Sequence, residues 1–99
     1  MRVDPVQTDP KHYKVEVEND KVRVLRVAFG PHEKSPMHSH PGGLIVYLTD
    51  HHSKHTDSAG GIHEMRAKSG DVQWVDPTDH LPENLSSQPM ELILVELKP

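Results

Sequence analysis

Apolar and polar residues alternate along most of this 99-residue chain, in short runs separated by glycine, proline, asparagine and aspartate. Alternation with a period of two is typical of half-buried strands. Together with β-prone apolar runs, it predicts strands over residues 13–18, 21–29, 35–40, 44–49, 62–67, 72–75 and 90–97. A 3.6-residue period extends nowhere beyond two turns. Seven or eight short antiparallel strands indicate an all-β sandwich or barrel.

Three segments lack this alternation. Residues 1–12 contain Pro5 and Pro10 and have no apolar period, so we expect an N-terminal arm, followed by one domain over residues 13–99. Residues 50–61 are polar and rich in histidine, serine and glycine, which indicates an exposed ribbon or a long loop. Residues 76–79 are expected to form a loop that delivers His80.

Composition narrows the possible partners and the environment. Only 33% of residues are hydrophobic and 4% aromatic, a thin core that favours a homodimer. The formal net charge of -4 argues against a nucleic-acid surface, and the absence of cysteine excludes disulfides and thiolate ligands. No apolar run is long enough to cross a membrane or to act as a leader, so we expect a cytoplasmic protein.

Two of the nine histidines, His38 and His40, stand two residues apart in a segment predicted to be extended. Residues i and i+2 of a strand point to one face, about 6–7 Å apart along the chain. Two imidazoles placed in this way can bind one metal ion, given a third ligand from elsewhere. With nine histidines, the same spacing also arises by chance, and the pair alone leaves both interpretations open.

A wider set of residues follows the order of two known motifs: Gly30, His38, His40, Gly70, His80 and Asn84. In this order the chain resembles a minimal single-domain cupin over about residues 13–98. The match departs from the first motif at the usual glutamate, where Leu44 stands, or Ile45 in the longer spacing, and His51 replaces a later glycine. In the second motif the loop glycine is lost and the proline is displaced by one residue, but His80 and Asn84 keep their spacing.

The resemblance implies a jelly-roll β-barrel or sandwich in which His38, His40 and His80 bind one divalent transition metal (Fe, Zn, Ni, Cu or Mn). Without the glutamate, the ion would keep its full 2+ charge and up to three open positions. Such a site is similar to those of three-histidine cupins that cleave diketones or oxidise thiols with non-haem iron. It implies a dioxygenase-like enzyme for a small anionic bidentate substrate, such as a dicarbonyl or a thiol. The alternatives are a non-catalytic small-ligand-binding cupin, or a metal-dependent isomerase or lyase; no catalytic residue is identified.

Strand alternation adds an expectation about the lining of the site. If Leu44 takes the ligand face, Val46 and Leu48 share it, while Ile45 and Tyr47 face away, where a second copy would pack. The floor of the pocket would then be apolar.

The remaining polar and aromatic candidates have weaker signals. Trp74 is interpreted as packing rather than as part of the pocket lining, and Glu83 as a solvated loop residue rather than a base beside His80. Asn84 is interpreted as a loop stabiliser in keeping with the resemblance. His51 and His55 share a strand face but are expected at the surface. His52 and His63 belong to the same polar region, and His63-Glu64 lacks the second histidine of a helical zinc site.

Overall fold

The computed structural model describes residues 3–99 and contains one short helix and nine strands in that range. The elements are α1 (Pro5–Thr8), β1 (Tyr13–Glu18), β2 (Val22–Phe29), β3 (His38–His40), β4 (Gly43–Tyr47), β5 (His51–Asp57), β6 (Ile62–Ala67), β7 (Val72–Val75), β8 (Thr78–Asn84) and β9 (Met90–Leu97). The predicted all-β class is confirmed. None of the described helical residues forms a helix long and apolar enough to cross a membrane.

The strands form two antiparallel sheets. A five-stranded sheet has the order β1-β2-β9-β4-β7, and a four-stranded sheet has the order β3-β8-β5-β6. The crossovers between non-consecutive strands bring β2 beside β9 and β3 beside β8. As a result, the histidine strand β3 lies next to the strand that contains His80, although the two are about forty residues apart in sequence.

The two sheets contribute different chemistry to the interior. Within residues 3–99 the buried apolar core lies entirely in the five-stranded sheet: Tyr13, Leu25, Val27, Phe29, Tyr47, Met90, Leu92 and Leu94. Apart from Pro82, the buried residues of the four-stranded sheet are polar: His38, Ser39, His40, His51, Ser53 and Asn84. An apolar wall therefore faces a histidine-rich wall across the interior. Because only one of the two sheets has an apolar inner face, the low hydrophobic content of the chain is enough to form the core.

Two positions in the five-stranded sheet and its turns require glycine. A Cβ on Gly43, at the start of β4, would lie 1.9 Å from the carbonyl oxygen of Val95, so only glycine allows β4 to approach β9 there. Gly70, the glycine of the second motif, has a φ of +89° in the turn before β7. This conformation costs glycine little and other residues considerably more.

The N-terminal segment is packed against the sheets over its described part. The side chain of Asp4 caps α1 by accepting a hydrogen bond from the backbone N–H of Val6 at 2.9 Å, and it also pairs with Arg23. Pro5 is buried. Residues 3–12 therefore contain a capped helical turn where the sequence led us to expect an arm without regular structure; residues 1 and 2 lie outside the described range.

The face assigned to β4 was wrong. Leu44 is 37% exposed on the outer face, whereas Ile45 packs against the core and Tyr47 is buried within it. A shift of one residue moves every side chain of a strand to the opposite face. The glutamate position of the first motif consequently corresponds to the longer spacing, and Ile45 occupies it.

Two further expectations in the four-stranded sheet were wrong. The polar region contains β5, an interior strand paired with both β6 and β8, rather than a loop or an exposed ribbon. His80 lies within β8, not at the end of a loop. Because β5 faces a polar interior, its inward residues are histidine and serine, and no alternation of apolar residues marks it as a strand.

Candidate metal centre

Strand pairing brings the three candidate ligands together. His38 and His40 lie on the same face of β3, and His38 is directly opposite His80 of β8. The Nε2 atoms of His38 and His80 are 3.1 Å apart, and one nitrogen from each of the three rings lies within 4.8 Å of the others. The structure therefore assembles a three-histidine group that could hold a metal ion, with the residues inferred from the sequence.

His38 is oriented by the segment that precedes its strand. Its Nδ1 lies 2.9 Å from the carbonyl oxygen of Pro36, which can only accept a hydrogen bond, so Nδ1 is the protonated nitrogen. Ser35 Oγ lies 3.2 Å from the same ring nitrogen. The Nε2 lone pair of His38 is thereby free and directed at the other two rings.

His40 is oriented from the opposite sheet, by a residue that the sequence analysis missed. Its Nδ1–H donates to Glu96 Oε2 at 2.8 Å, and Glu96 is almost fully buried in β9. The other carboxylate oxygen of Glu96 accepts from Arg23 at 2.8 Å, and Arg23 also pairs with Asp4. A carboxylate on the outer nitrogen of a metal-binding histidine fixes its tautomer and raises its basicity. Glu96 occupies this position for His40.

Burial keeps the interior histidines neutral. Desolvation, followed by the neighbouring imidazoles, lowers the pKa of His38 from 6.5 to about 4 and that of His80 to about 2. Burial opposes ionisation of Glu96 as well, but the hydrogen bonds from His40 and Arg23 outweigh it and lower the pKa of this carboxyl. Neutral imidazole is the form that ligates a metal, so protons compete weakly for His38 and His80 at neutral pH.

The donor set suits a borderline divalent ion. Three imidazole nitrogens fit Fe, Zn, Ni, Cu or Mn better than Mg or Ca, which prefer oxygen ligands. A tetrahedral zinc centre with 2.0–2.1 Å bonds separates its ligands by about 3.4 Å, close to the 3.1 Å between the nitrogens of His38 and His80. The outer nitrogens of His38 and His40 donate hydrogen bonds to fixed acceptors, so these two rings are preorganised to bind an ion.

The histidines open into a cavity of about 420 Å³ between the two sheets. Its apolar wall comes from the five-stranded sheet, with Val27, Phe29, Ile45, Leu92 and Leu94 among its members. Its polar wall comes from His40, His51, His55 and His80. None of the described residues that line the cavity is a lysine or an arginine. The cavity has an apolar floor, but the residues predicted for it were wrong: Leu44, Val46 and Leu48 do not line the cavity, whereas Ile45 and Tyr47 do.

The surface position expected for His51 and His55 was wrong. His51 is 7% exposed, and burial lowers its pKa to about 4, with a smaller effect from His52. The Nδ1 of His55 lies 3.0 Å from the Nδ1 of His80, and burial followed by the charge of His51 lowers the pKa of His55 to about 4. The i, i+2, i+4 spacing of His51, Ser53 and His55 places all three on one face of a strand. This signal could be used only if residues 50–61 were recognised as containing an interior strand.

The other candidates have structural positions away from the three histidines. Asn84 is fully buried and donates to the carbonyl oxygens of Gly30 and Gln88, as expected for a loop stabiliser. Glu83 lies within β8, so its assignment to a loop was wrong, and it is 3.8 Å from Lys54 rather than beside His80. Trp74 is 56% exposed and donates to Asp76, so its packing role was wrong, although Trp74 is among the residues that line the cavity.

We expect Glu96→Ala to weaken metal binding roughly 10–100-fold, the usual cost of losing the outer partner of a ligand histidine. Glu96→Gln should cost less, since an amide oxygen still accepts from His40. The matched control is Glu91→Gln, because Glu91 lies on the same strand and pairs with Arg26 of β2, but on the outer face. Titration of the metal-free variants with Zn²⁺ measures the effect; equal affinities for Glu96→Ala and Glu91→Gln would show that Glu96 does not support His40.

The fold is similar to those of several solved structures. A cupin domain from Bordetella pertussis superposes with a TM-score of 0.81 at 19% identity, over 88% of this chain and 92% of that one. An RmlC-like cupin family protein from Methanocaldococcus jannaschii, with a double-stranded β-helix fold, gives 0.65 at 20% identity, over 90% and 83%. A cupin superfamily protein from Desulfitobacterium hafniense gives 0.64 at 12% identity, over 88% and 76%.

No family model and no curated protein matches the sequence. The structural similarity nevertheless extends over nearly the whole chain, and the resemblance inferred from the two motifs is confirmed at the level of the fold. The chain therefore has the cupin fold, a double-stranded β-helix of two antiparallel sheets with three histidines gathered between them.

Proposed function

We propose that this cupin is a small metal-dependent enzyme, an oxygenase that acts on a small anionic bidentate substrate such as a dicarbonyl or a thiol. The supporting observation is the charge of the site. Three neutral histidines surround the position of the ion, and Ile45 stands where related motifs have a glutamate. A bound divalent ion would keep a charge of 2+ in a largely apolar cavity, which favours an anionic ligand that compensates it.

Nearby charges do not remove this need. Glu96 accepts a hydrogen bond from His40, but its charge is shared with Arg23 at 2.8 Å. Asp76 is the one carboxylate among the described residues that line the cavity, and it accepts a hydrogen bond from Trp74. Since no lysine or arginine of the described chain lines the cavity, a substrate anion has no protein cation to bind in place of the ion. We infer that the substrate binds through its negatively charged oxygens or sulfur at the three histidines.

Each part of the cavity has a role in this proposal. His38, His40 and His80 hold the ion, and Glu96 and the Pro36 carbonyl keep two of the rings in the required tautomer. Phe29, Leu92 and Leu94 exclude water and accommodate an apolar substrate body. When bound, the metal supplies Lewis acidity and, if it is iron, a site for oxygen chemistry; a zinc-loaded form would instead polarise a carbonyl or activate water.

Metal analysis and oxygen uptake test this function. Protein purified without a tag is loaded with Fe²⁺ and screened with small dicarbonyls and small thiols. We expect oxygen consumption with one of the two classes, which His63→Ala retains because His63 is exposed and paired with Asp57 away from the cavity. If the protein binds metal but consumes no oxygen with either class, the oxygenase proposal is rejected and the alternative of a non-catalytic ligand-binding cupin, or an isomerase or lyase, takes its place.

We also propose that the protein is a homodimer, through the outer face of the five-stranded sheet rather than through Ile45 and Tyr47. Val17, Val24, Val95, Leu44 and Trp74 form a cross-strand row on that face. Arg26, paired with Glu16 and Glu91, lies on the same face. An apolar row with charges of both signs beside it is self-complementary about a twofold axis, so a second copy fits it.

Light scattering tests the dimer. At micromolar concentration we expect about 22 kDa, twice the 11.2 kDa of one chain, and about 11 kDa for Trp74→Glu. Ile62→Glu is the matched control, since Ile62 is also an exposed apolar residue but belongs to the four-stranded sheet. A mass of 11.2 kDa for the unmodified protein would reject the dimer.

A further inference from the structure

A chain of hydrogen-bonding groups runs from His80 into β5. The Nδ1 atoms of His80 and His55 are 3.0 Å apart, Nε2 of His55 is 3.4 Å from Ser53 Oγ, and Ser53 Oγ is 2.7 Å from Nε2 of His51. His51, Ser53 and His55 share the inner face of their strand, and β5 pairs with β8. Every member of the chain can both donate and accept a hydrogen bond.

Ligation of a metal by His80 fixes the direction in which these groups donate hydrogen bonds to one another. When Nε2 of His80 offers its lone pair to an ion, its proton must be on Nδ1 and is donated to Nδ1 of His55. His55 is then protonated on Nε2 and donates to Ser53 Oγ. Ser53 donates in turn to Nε2 of His51, which is protonated on Nδ1.

The opposite direction follows when no ion is bound. The Pro36 carbonyl fixes the proton of His38 on Nδ1, so Nε2 of His38 can only accept. The 3.1 Å contact between the Nε2 atoms of His38 and His80 then needs the proton of His80 on Nε2. Nδ1 of His80 becomes an acceptor, and the donors reverse: His51 Nε2–H to Ser53, Ser53 to His55 Nε2, and His55 Nδ1–H to His80.

We propose that His51, Ser53 and His55 form a tautomer relay that couples occupancy of the three-histidine site to the state of His51. On ligation, His80, His55 and His51 each move one proton to the other ring nitrogen, and the Ser53 hydroxyl rotates. Each imidazole keeps one proton, so the rearrangement is neutral overall. The relay rests on the proposed metal binding and extends its influence to the cavity wall, where the ring of His51 lies 4.9 Å from that of Tyr47.

The relay makes His55 a positioning residue for His80. His55 supplies the acceptor that a ligating His80 needs on its outer nitrogen, as Pro36 does for His38 and Glu96 for His40. All three candidate ligands thus have an outer partner. The partner of His80 differs in being able to reverse its own role, which neither a carbonyl nor a carboxylate can do.

Tautomer-resolved NMR tests the relay directly. Protein labelled with ¹⁵N-histidine is recorded free of metal and loaded with Zn²⁺, and the ring nitrogens are correlated with the ring C–H protons. We expect His51 to change from the Nε2–H to the Nδ1–H tautomer on zinc loading, and His55 from Nδ1–H to Nε2–H. His63, which is exposed and directly opposite His55 on β6, serves as the unresponsive control.

Variants separate the relay from simple proximity. Ser53→Ala removes the hydroxyl between His51 and His55, so His55 should still respond to zinc while His51 no longer does. His55→Leu should weaken zinc binding roughly 10–100-fold, and His55→Asn should restore part of it, because Oδ1 can accept in place of Nδ1. His63→Leu should leave zinc binding unchanged.

The outcomes distinguish the relay from the site on which it rests. If zinc binds and shifts the resonances of His38 and His40 while His51 and His55 keep their tautomers, the relay is overturned and the metal site stands. The relay is likewise overturned if His51 still responds in Ser53→Ala. If zinc perturbs none of the site histidines, the metal site and the relay are both rejected.

Discussion

Replacing His80 with alanine is expected to abolish stable metal binding. The change removes one of three protein ligands, and two imidazoles on a short strand leave the ion mostly to water. The loss should exceed the roughly 10–100-fold that the absence of an outer partner costs, because a direct ligand is lost. Elemental analysis of dialysed protein and competition with a chelator measure the remaining affinity. His38→Ala and His40→Ala should behave in the same way.

Two controls make this result interpretable. His63→Ala removes an exposed histidine and should keep full metal content. Circular dichroism must show that His80→Ala remains folded, since Nε2 of His38 and Nδ1 of His55 both lose their neighbour. A folded His80→Ala protein with full metal stoichiometry would mean that the ion binds elsewhere.

The pair His38 and His40, together with His80 and Asn84, could be identified from the sequence because their spacing is local. His38 and His40 lie on β3, and His80 and Asn84 lie on β8. Strand alternation and the order of the motifs are therefore enough to identify each pair. Bringing the halves together depends on β3 pairing with β8, which the resemblance implied and the structure shows. Local pattern and a family order were enough to select the three histidines that the structure brings together.

Glu96 was missed although the sequence contained a signal for it. Met90, Leu92 and Leu94 occupy the buried phase of β9, and Glu96 continues that phase. A charged residue at an apolar position of an alternating strand needs a buried partner. The identity of that partner, His40, depends on contact between the two sheets and is not encoded in either strand alone.

The face of β4 and the nature of β5 could not be settled by alternation. Every residue from Leu44 to Leu48 is apolar or aromatic, so the run has no polar phase that marks the outer face. The outer face of the five-stranded sheet is itself apolar beside β4, where Leu44 lies opposite Trp74 and Val95. In β5 the reverse holds, because both faces are polar. Alternation indicates a face only where interior and exterior differ in polarity.

We expect the metal-free protein to lose stability steeply as the pH falls below about 6.5. Burial lowers the pKa of His38, His51 and His55 to about 4 and that of His80 to about 2, whereas in the unfolded chain these groups return to about 6.5. Between these values the unfolded chain binds more protons than the folded one. The free energy of unfolding therefore rises with pH in this window and is lost towards acid.

The slope reports how many histidines are involved. Each histidine that is protonated only in the unfolded chain contributes about 1.4 kcal/mol per pH unit. Urea unfolding at a series of pH values between 7.5 and 4.5 measures it. His51→Gln should make the slope shallower by one such contribution, since His51 is not a ligand candidate. His63→Gln should keep the slope, and an unchanged slope in both variants would contradict the assignment of His51.

Metal release should follow the same transition. His38 and His80 resist protonation while the fold is intact, so the ion should stay bound from neutral pH to well below 6.5. Release should then coincide with unfolding, and two or three protons should be taken up for each ion lost. Metal content, proton uptake and circular dichroism recorded on one sample during an acid titration test this directly. Loss of the ion near pH 6.5 from a folded protein would mean that the ligands are exposed groups with ordinary pKa values. Loss without any proton uptake would mean that histidines are not the ligands.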